Sequence, residues 1–537
     1  MLPPVTRRRK HWGWGFEDEQ PSPGEVRATA AFLASHLGFG SAEPEAPVAL
    51  SELSLPAPRL APPPRLAGIC SSDDYERAFH AYGSSYRDVV RAFRGQFDHP
   101  PDVVAHPADE GEIEAVLEWA LSANAAVIPY GGGTSVVGGV EPVVDPRRFD
   151  GVVTIDLSRL DRVLEVEPES LSARIQAGAN GPRLEEQLRE RELTLRHFPQ
   201  SFQFASLGGM IATRAGGHFA TVYTHIDDLV QSVRAITPAG VWESRRLPGS
   251  GAGISPDRML IGSEGTLGLI TEAWVRVRPR PRFRASAGVR FATFDAGAAA
   301  VRTLSQSGLY PANCRLIDPA EAQLTGAIAG PDPSRHALLV LGFESPAVAV
   351  DARLEEALTV CGDHGGVWDA RRGGDSGSED SVGAWRDAFL RVPYLRDTFV
   401  AMGVISETFE TAVTWDRFAT LHRTVTERTL AAVHEVCGAG SVTCRFTHVY
   451  PDGPAPYFTV LAPGRRGEEL QQWAHIKAAA ADAILQAGGT ITHHHAVGRD
   501  HRPWYDRQRP EPFATALRAA KAALDPGGAL NPGVLID

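Results

Sequence analysis

PYGGGTSVVGG, at residues 129–139, places three consecutive glycines directly after the apolar run AAVI at 125–128. Glycines let successive backbone N–H groups approach a bound anion closely, and the hydroxyls of Thr134 and Ser135 add further donors. The segment lacks the lysine of a P-loop, and its spacing differs from G-x-G-x-x-G. We therefore interpret it as a nest for a pyrophosphate, with an ordinary glycine-rich turn as the alternative.

Around this loop the sequence alternates short strands with helices. Before it, Ile113, Val116 and Leu117 lie at helical spacing between two short apolar runs, which predicts a strand, a helix and a second strand. After it, short alternating segments extend to about residue 280. From there to about residue 500, strands alternate with long helices, which favours a sheet covered by helices. We predict an α+β fold divided into two or three domains.

Two further glycine-rich segments follow the first. QSFQFASLGGMIATRAGG, residues 200–217, combines glycine pairs with hydroxyl side chains, and IGSEGTLGLI, residues 261–270, leads into an apolar strand. One glycine cluster is a weak signal, because short motifs often match by chance. Three in order leave the backbone open along a continuous groove, as an extended dinucleotide requires.

These segments together carry a family resemblance. PYGGGTS, TRAG at 213–216, HIDDLV at 225–230 and GSEGTLGLITE at 262–272 resemble the FAD enzymes of the vanillyl-alcohol-oxidase and PCMH superfamily. Several members attach the flavin covalently to a histidine of the first loop, where this chain has Thr134 and Ser135, so the resemblance implies non-covalent FAD. The cofactor contacts that it implies are Pro129, Tyr130, Gly131, Gly132, Gly133, Thr134, Ser135, Gln200, Ser201, Phe202, Gln203, Phe204, Ala205, Ser206, Thr213, Arg214, Ala215, Gly216, Glu264, Gly265, Thr266, Leu267, Gly268, Leu269 and Ile270.

The same resemblance implies a domain architecture. It predicts a two-subdomain PCMH-type FAD-binding domain at 98–280, followed at 281–500 by an α/β cap domain that binds the substrate and has an antiparallel sheet covered by helices. An N-terminal helical and linker region is expected at 1–97. A C-terminal segment at 501–537 is expected to return to the FAD-binding domain. The polar segment at 373–383 is expected to form a mobile loop near the pocket.

The cap region carries the residues that distinguish the chemistry. GGTITHHHAVG places His493, His494 and His495 in tandem, and PAPYFTV carries Tyr457 on a preceding strand. Three adjacent imidazoles cannot all face one way, so one or two are expected to enter a pocket while another supports them; an exposed histidine turn is the alternative. Relatives that oxidise D-2-hydroxy acids carry a metal-linked H-x-G-D-G-N-x-H segment and a later E-H-G, and both are altered here. We therefore predict no metal, with a site built from His448 and the triplet as the alternative.

Further motifs extend the resemblance to a narrower family, the alkyldihydroxyacetonephosphate synthases. Besides the histidine segment, the matching stretches are HWGWG at 11–15, PANCRLID at 311–318, YLRD at 394–397 and ISETFETAVTWDR at 405–417. This set runs across nearly the whole chain. The resemblance implies an exchange of the acyl group of acyl-dihydroxyacetone phosphate for a long-chain fatty alcohol, without net redox change.

The resemblance also implies roles for individual residues. Arg396 is expected to recognise the substrate phosphate, because a planar guanidinium matches phosphate better than an ammonium does; an ion pair with the following aspartate is the alternative. Arg315 is expected to bind substrate as well. Tyr457 and the three histidines are expected to act in catalysis. Glu407 and Glu410 are expected to be structural partners of arginines.

The overall composition limits the kinds of partner and the cellular compartment that we expect for this protein. The 537 residues carry a net charge of −12, which argues against nucleic acid as a partner. The five cysteines form no C-x-x-C pair, so neither a disulfide framework nor a zinc site is expected. No secretion signal or apolar membrane span is recognisable, so we expect a cytoplasmic protein and leave peripheral membrane contact open. The resemblance implies a homodimer.

Two other functions remain open at this stage. The same FAD-binding domain serves oxidases and dehydrogenases of 2-hydroxy acids or alcohols, and a flavoprotein could also bind lipid without catalysis. The fold does not choose among them, because function resides in the site.

Overall fold

The structure, a computed structural model, describes residues 7–217, 219, 221–222, 224–324, 336–369 and 394–537. The segment predicted as a mobile loop, 373–383, lies outside these ranges. Within them, residues 394–402 are helical, and the other α-helices are Pro23–Leu37, Asp74–Phe79, Tyr86–Phe93, Glu110–Ser122, Gly181–Arg189, Leu207–Thr213, Pro256–Leu260, Phe294–Gln306, Pro319–Leu324, Asp351–Asp363, Trp415–Cys437, Glu469–Gln486, Arg502–Gln508 and Glu511–Leu524. None of the described helices combines the length and the hydropathy that crossing a bilayer requires.

Two larger sheets and a short strand pair occupy the first half of the described chain. In one sheet, three neighbouring strands run parallel and a short antiparallel strand forms the edge, in the order Cys70–Ser71, Val103–Ala105, Gly151–Asp156 and Ala125–Tyr130. The other sheet is antiparallel, in the order Val163–Glu167, Ser172–Gln176, Leu269–Arg276, Val230–Thr237 and Gly240–Glu243. The short antiparallel pair joins Leu193–Thr194 to Arg278–Pro279.

The helix Glu110–Ser122 shows how the sequence builds the first of these sheets. Asp109 caps the helix by accepting a hydrogen bond from the backbone N–H of Glu112, at 2.9 Å. Ile113 and Val116 are completely buried on the face that packs on the sheet. The next strand, Ala125–Tyr130, ends immediately before the glycines, so this core holds the glycine loop at the edge of the sheet.

The cap is built on an antiparallel sheet of six described strands. They follow the order Phe283–Phe291, Ala337–Ser345, Asn313–Ile317, Ser441–Val449, Pro454–Pro463 and Val404–Glu410. Residues from the helices Phe294–Gln306, Asp351–Asp363, Trp415–Cys437 and Glu469–Gln486 share one hydrophobic core with this sheet. The arrangement confirms the predicted α+β class and the predicted antiparallel cap sheet covered by helices.

The last residues of the chain return to the first sheet. Val127 exchanges backbone hydrogen bonds with Ala529 and Asn531, both at 2.8 Å. Lys521 is buried beside this contact and donates to the carboxylate of Asp525, at 2.6 Å, and to the carbonyl of Thr266, at 2.7 Å. Thr266 belongs to the third glycine-rich segment, so one ammonium group ties the C-terminal helix to that segment.

Replacing Lys521 by methionine should destabilise the fold. The substitution leaves the Asp525 carboxylate buried without its cation, which typically costs about 3 kcal/mol or more. We expect urea unfolding to show a free energy of unfolding lowered by about that amount. Arg518→Met is the control on the same helix: Arg518 pairs with Glu511 in an exposed position, and its loss should change the free energy by less than about 1 kcal/mol. Equal effects for the two variants would contradict this view of Lys521.

Candidate active site

A large cavity lies between the sheets of the first half and the cap. All three glycine-rich segments contribute residues to its wall, and the cap contributes arginines, a tyrosine and imidazoles. The predicted cofactor contacts that line it are Pro129, Tyr130, Gly131, Gly132, Gly133, Thr134, Ser135, Gln200, Ser201, Ala205, Ser206, Thr213, Ala215, Gly216, Glu264, Gly265, Gly268 and Ile270. Of the residues predicted to bind substrate or act in catalysis, Arg315, Arg396, Tyr457, His494 and His495 line the same cavity.

Three predicted contacts in the second glycine-rich segment lie behind the cavity wall. The ring of Phe202 packs against Gly181, and Phe204 lies 3.9 Å from the guanidinium carbon of Arg9. Gln203 accepts a hydrogen bond from the Tyr394 hydroxyl at 2.7 Å. These side chains support the wall and do not form its surface.

Four further predicted contacts also turn away from the cavity. The guanidinium of Arg214 lies 2.7 Å from the Asp227 carboxylate, and the Thr266 hydroxyl donates to the carbonyl of Ser263. Leu267 and Leu269 are completely buried in the cores of the two neighbouring sheets. They hold the third segment in place from behind.

The structure shows a second reason why residues 131–133 of the first loop are glycines, one that the sequence did not reveal. A Cβ on Gly132 would lie 1.8 Å from the carbonyl oxygen of Phe204, and one on Gly131 would lie 2.1 Å from the Ser206 hydroxyl. Gly133 has φ = +65°, a conformation that favours glycine. The first loop therefore needs glycine in order to pack against the second, as well as to leave its backbone open to a ligand.

An N-terminal segment, residues 9–15, covers one side of the cavity. Arg9 donates to the carbonyl of Gly132 at 2.7 Å, and Lys10 forms a buried ion pair with Asp397 at 3.0 Å. The Asp397 carboxylate also accepts from the backbone N–H of Trp14 at 3.1 Å. The segment thus connects the glycine loop to the cap helix at 394–402.

Lys10 and Asp397 are residues that sequence reasoning missed. Asp397 was considered only as an ion-pair partner of Arg396, whereas its partner in the structure is Lys10. Arg396 lines the cavity and donates to the backbone carbonyl of Ser84. The HWGWG motif was a signal for this contact: a Cβ on its Gly13 would lie 2.5 Å from the Asp397 carboxylate.

The histidine triplet is held by its backbone. Glu410, the last residue of a cap strand, accepts hydrogen bonds from the backbone N–H groups of His493, at 2.5 Å, His494, at 3.0 Å, and His495, at 2.8 Å. The Thr492 hydroxyl also donates to it, at 2.7 Å. Because the carboxylate occupies the backbone donors, the three imidazoles are free to point in different directions.

A second carboxylate continues this arrangement. Glu264, in the third glycine-rich segment, accepts from the backbone N–H groups of Val497, at 2.9 Å, and Gly498, at 2.8 Å. Burial raises the pKa of Glu264 to about 7, and the two donated hydrogen bonds oppose that rise. Glu264 was predicted as a cofactor contact; it lines the cavity and also fixes the turn that follows the histidines.

Within the described part of the chain, neither Glu407 nor Glu410 pairs with an arginine, so the predicted arginine partners are wrong. Three residues apart on a strand, they lie on opposite faces of the sheet. Glu407 accepts from the Lys477 ammonium at 2.8 Å and from the Trp473 indole at 2.7 Å. Two acids on one apolar strand indicate that both have buried partners. The sequence did not indicate that the partner of Glu410 would be the backbone of a turn.

The three imidazoles occupy different environments. His494 and His495 line the cavity, whereas His493 lies behind them and contacts the Tyr450 hydroxyl at 2.7 Å and the Nε2 of His225 at 3.1 Å. Burial lowers the pKa of all three, that of His495 to about 4. The triplet is therefore uncharged near neutral pH.

Ring nitrogens of His448, His493 and His494 lie within 4.8 Å of one another, a spacing that could suit a metal ion. The hydrogen bonds of these rings point to another use. The Nε2 of His448 donates to the carbonyl of Gly217, and the Nδ1 of the same ring contacts the Thr447 hydroxyl at 3.1 Å. A ring whose nitrogens carry a proton or an existing hydrogen bond is a poor metal ligand.

An arginine packs against the tyrosine of the cap. The guanidinium carbon of Arg445 lies 4.0 Å from the centre of the Tyr457 ring, and Arg445 pairs with buried Glu321. Burial, together with the charge of Arg445, lowers the pKa of Arg315 to about 9. With Arg396 nearby in the same wall, this side of the cavity suits an anionic group.

Comparison with known proteins identifies families, relatives and a solved structure that this chain resembles. Residues 101–244 match the family model "FAD binding domain", and residues 280–535 match "FAD linked oxidases, C-terminal domain". An alkyldihydroxyacetonephosphate synthase of Trypanosoma brucei brucei is 31% identical over 86% of this chain and 78% of its own length. A glycolate oxidase subunit GlcD of Bacillus subtilis (strain 168) is 25% identical over 82% of this chain and 89% of its own. A solved structure of an alkyldihydroxyacetonephosphate synthase superposes with a TM-score of 0.80 at 26% identity, covering 97% of this chain and 98% of that one.

Glu410→Gln should weaken the fold in a pH-dependent way. Burial opposes ionisation, but neighbouring His495 and His493 and the donated hydrogen bonds lower the pKa of Glu410 from 4.5 to about 2. The depressed pKa means that the carboxylate stabilises the fold fully above pH 4.5 and that this contribution is lost as the pH falls towards 2. The NH₂ group of the glutamine amide would face the backbone N–H groups that the carboxylate now accepts from. We therefore expect the free energy of unfolding to fall by about 3 kcal/mol at pH 7.

The measurement is urea unfolding of both proteins between pH 7 and pH 3. The difference in free energy of unfolding between wild type and Glu410→Gln should shrink as the pH falls below 4.5. Glu427→Gln, an exposed change on a cap helix, should stay within about 0.5 kcal/mol of wild type. A constant difference across the whole range would mean that the Glu410 carboxylate does not supply the stabilisation.

Proposed function

Since this chain belongs to the alkyldihydroxyacetonephosphate synthase family of FAD enzymes, we propose that its cavity exchanges the acyl group of acyl-dihydroxyacetone phosphate for a long-chain alcohol. The observation that carries the proposal is one wall of the cavity. There Arg396, Arg315, Tyr457, His494 and His495 line the same cavity as the three glycine-rich segments. The protein is an FAD-dependent enzyme, and the exchange involves no net oxidation or reduction.

The donors along the cavity fit FAD. Backbone N–H groups of Gly131 to Gly133 and the hydroxyls of Thr134 and Ser135 supply neutral donors of the kind that a pyrophosphate accepts. When bound, the flavin supplies the reactive ring system at which the substituent of the substrate carbon is exchanged. No histidine stands in the first loop, so non-covalent binding stays a prediction, which release of FAD from acid-denatured protein would check.

Recognition of the substrate phosphate is proposed for Arg396. The carboxylate of the adjacent Asp397 is paired with Lys10 at 3.0 Å, so it does not compete with the phosphate for the guanidinium. Arg315 lies in the same wall and is proposed to bind an anionic oxygen of the substrate. A guanidinium fork gives both charge and orientation to such a contact.

Proton movement is proposed for Tyr457 and the histidines. Tyr457 is buried, and its ring lies under the Arg445 guanidinium, with the His495 ring centre 5.4 Å away and that of His494 6.2 Å away. Neutral imidazoles can accept a proton from a phenol or an alcohol and return it. The exchange needs proton acceptance, because the entering alcohol loses a proton when its oxygen bonds to carbon.

The decisive experiment offers the purified enzyme palmitoyl-dihydroxyacetone phosphate and hexadecanol under anaerobic conditions. We expect alkyl-dihydroxyacetone phosphate and palmitate in equal amounts, without an added electron acceptor. A 2-hydroxy-acid oxidase would give the opposite result. It would bleach the flavin with D-lactate or glycolate and would form no ether, and that outcome would refute the proposal.

Tyr457→Phe should keep the cofactor and lose the exchange. The substitution removes the hydroxyl and leaves the ring under Arg445 in place, so FAD absorbance should match that of wild type. Loss of acid–base catalysis lowers kcat by about 10²- to 10⁴-fold. The measurement is the rate of ether formation per bound FAD. Turnover at the wild-type rate would remove Tyr457 from the mechanism.

Arg396→Lys and Lys10→Met should both act on phosphate recognition. Lysine loses the fork of the guanidinium, and methionine at position 10 leaves Asp397 as an unneutralised neighbour of Arg396. We expect KM for the acyl substrate to rise about tenfold or more, while KM for hexadecanol stays near the wild-type value. Arg7→Met, which removes an exposed ion pair with Asp18, is the control. Equal increases in both KM values would point to a general disturbance of the cavity.

The cellular setting is proposed from the chemistry of the substrates. Long acyl and alkyl chains partition into bilayers, so we propose a cytoplasmic enzyme that works in peripheral contact with a membrane. Cosedimentation with phospholipid vesicles that contain hexadecanol tests this contact. The homodimer that the family resemblance implies also stays a prediction, and sedimentation velocity of the purified protein tests it.

A further inference from the structure

A chain of hydrogen-bonded imidazoles leads away from the cavity. His494 lines the cavity, and its Nδ1 lies 3.0 Å from the Nδ1 of His493. The Nε2 of His493 lies 3.1 Å from the Nε2 of His225, a partly exposed residue outside the cavity wall. Three rings therefore connect the cavity with the solvent side of the protein.

The hydrogen bond at the His225 end of this row of imidazoles determines which ring nitrogens carry protons. The Nδ1 of His225 lies 3.1 Å from the backbone carbonyl of Arg214, which can only accept, so this nitrogen carries a proton. The Nε2 of neutral His225 is then an acceptor, and the Nε2–H of His493 donates to it. The Tyr450 hydroxyl, 2.7 Å from the same Nε2, is then a second acceptor for this N–H. The Nδ1 of His493 is left as the acceptor for a proton on the Nδ1 of His494. All the donors thus point from the cavity towards His225.

The exchange reaction releases one proton. In the substrate, carbon C1 of the dihydroxyacetone unit carries the acyl group. The bond between C1 and the acyl oxygen breaks, the bond between C1 and the alcohol oxygen forms, and no electrons are gained or lost. The acyl group leaves as a carboxylate, which is ionised at neutral pH, and the alcohol loses its hydroxyl proton. Each turnover therefore releases one proton inside a cavity whose substrates carry long apolar chains.

On the basis of the proposed function, we propose that His494, His493 and His225 form a relay that carries this proton from the cavity to solvent. His225 is the exit residue: the relayed proton arrives at its Nε2, the ring then carries two protons, and it returns to the neutral form by giving one proton to solvent water. His225 takes no part in binding either substrate. The Tyr450 hydroxyl, 2.7 Å from the Nε2 of His493, supports the middle ring. Burial lowers the pKa of His493 and His494, so these rings pass the proton on and do not store it.

Charged groups around the exit residue suit this role. Asp227 and Asp228 lie close enough to favour a proton on His225, whereas burial and the charge of Arg214 oppose it. The net effect lowers the pKa of His225, so a proton that reaches it is released readily. Sequence reasoning noticed HIDDLV only as part of a cofactor motif and gave its histidine no function.

The test is the variant His225→Ala in the anaerobic ether-forming assay. We expect kcat to fall about 100-fold, with KM for both substrates unchanged, because proton exit becomes limiting. Added imidazole, which can enter the space left by the side chain, should restore kcat as its concentration rises. The solvent deuterium isotope effect on kcat should be larger in the variant than in wild type. His475→Ala, the loss of an exposed histidine that pairs with Glu435, should match wild type in every measurement.

Several outcomes would overturn the relay. A His225→Ala enzyme with wild-type kcat shows that the proton leaves elsewhere. A slow variant with full FAD content that imidazole does not accelerate shows a structural role. Stoichiometric metal bound through His493 and His494 would show that these nitrogens serve another purpose. If wild-type enzyme forms no ether, the proposed function fails and the relay fails with it, whereas wild-type turnover beside an unaffected variant counts against the relay alone.

Discussion

Two buried carboxylates that accept backbone N–H groups of one short turn determine the geometry of the site. Glu410 comes from the cap and takes the donors of residues 493–495, and Glu264 comes from the cofactor side and takes those of 497 and 498. The pKa of Glu410 is lowered to about 2, so this carboxylate is ionised near neutral pH, and hydrogen bonds to an ionised acceptor are stronger than neutral ones when water is excluded. The turn therefore fixes the position of the two domains relative to each other at the point where the reaction takes place.

This arrangement explains how three consecutive histidines can serve three purposes. A turn whose backbone is satisfied by acids leaves its side chains to be placed by packing alone. Two rings face the cavity and the third faces outward, towards His225. The neutral state of the rings follows from burial, and a neutral imidazole both accepts and donates protons. The same cavity wall keeps its positive charge on arginines, which stay charged when buried more readily than histidines do.

Much of the molecule could be predicted from local sequence patterns. The strand before the glycine loop, the helix at 110–122 and the alternation of strands with long helices in the cap follow from local patterns, which depend on neighbours along the chain. The residues that proved hardest to foresee make contacts between distant parts of the sequence. Lys10 and Asp397 are 387 positions apart, and neither belongs to a periodic pattern. Glu410 was noticed but misassigned, because a carboxylate that binds backbone N–H groups leaves no complementary charge to find.

The position of Lys10 also bears on the order in which the molecule is made. Residues 9–15 leave the ribosome long before their partner Asp397, which is synthesised 387 residues after Lys10. Until then the segment cannot cover the glycine loop, and closing so long a loop carries a large entropic cost. The N-terminal segment therefore cannot be fastened over the glycine loop by the Lys10–Asp397 pair until residue 397 has been synthesised.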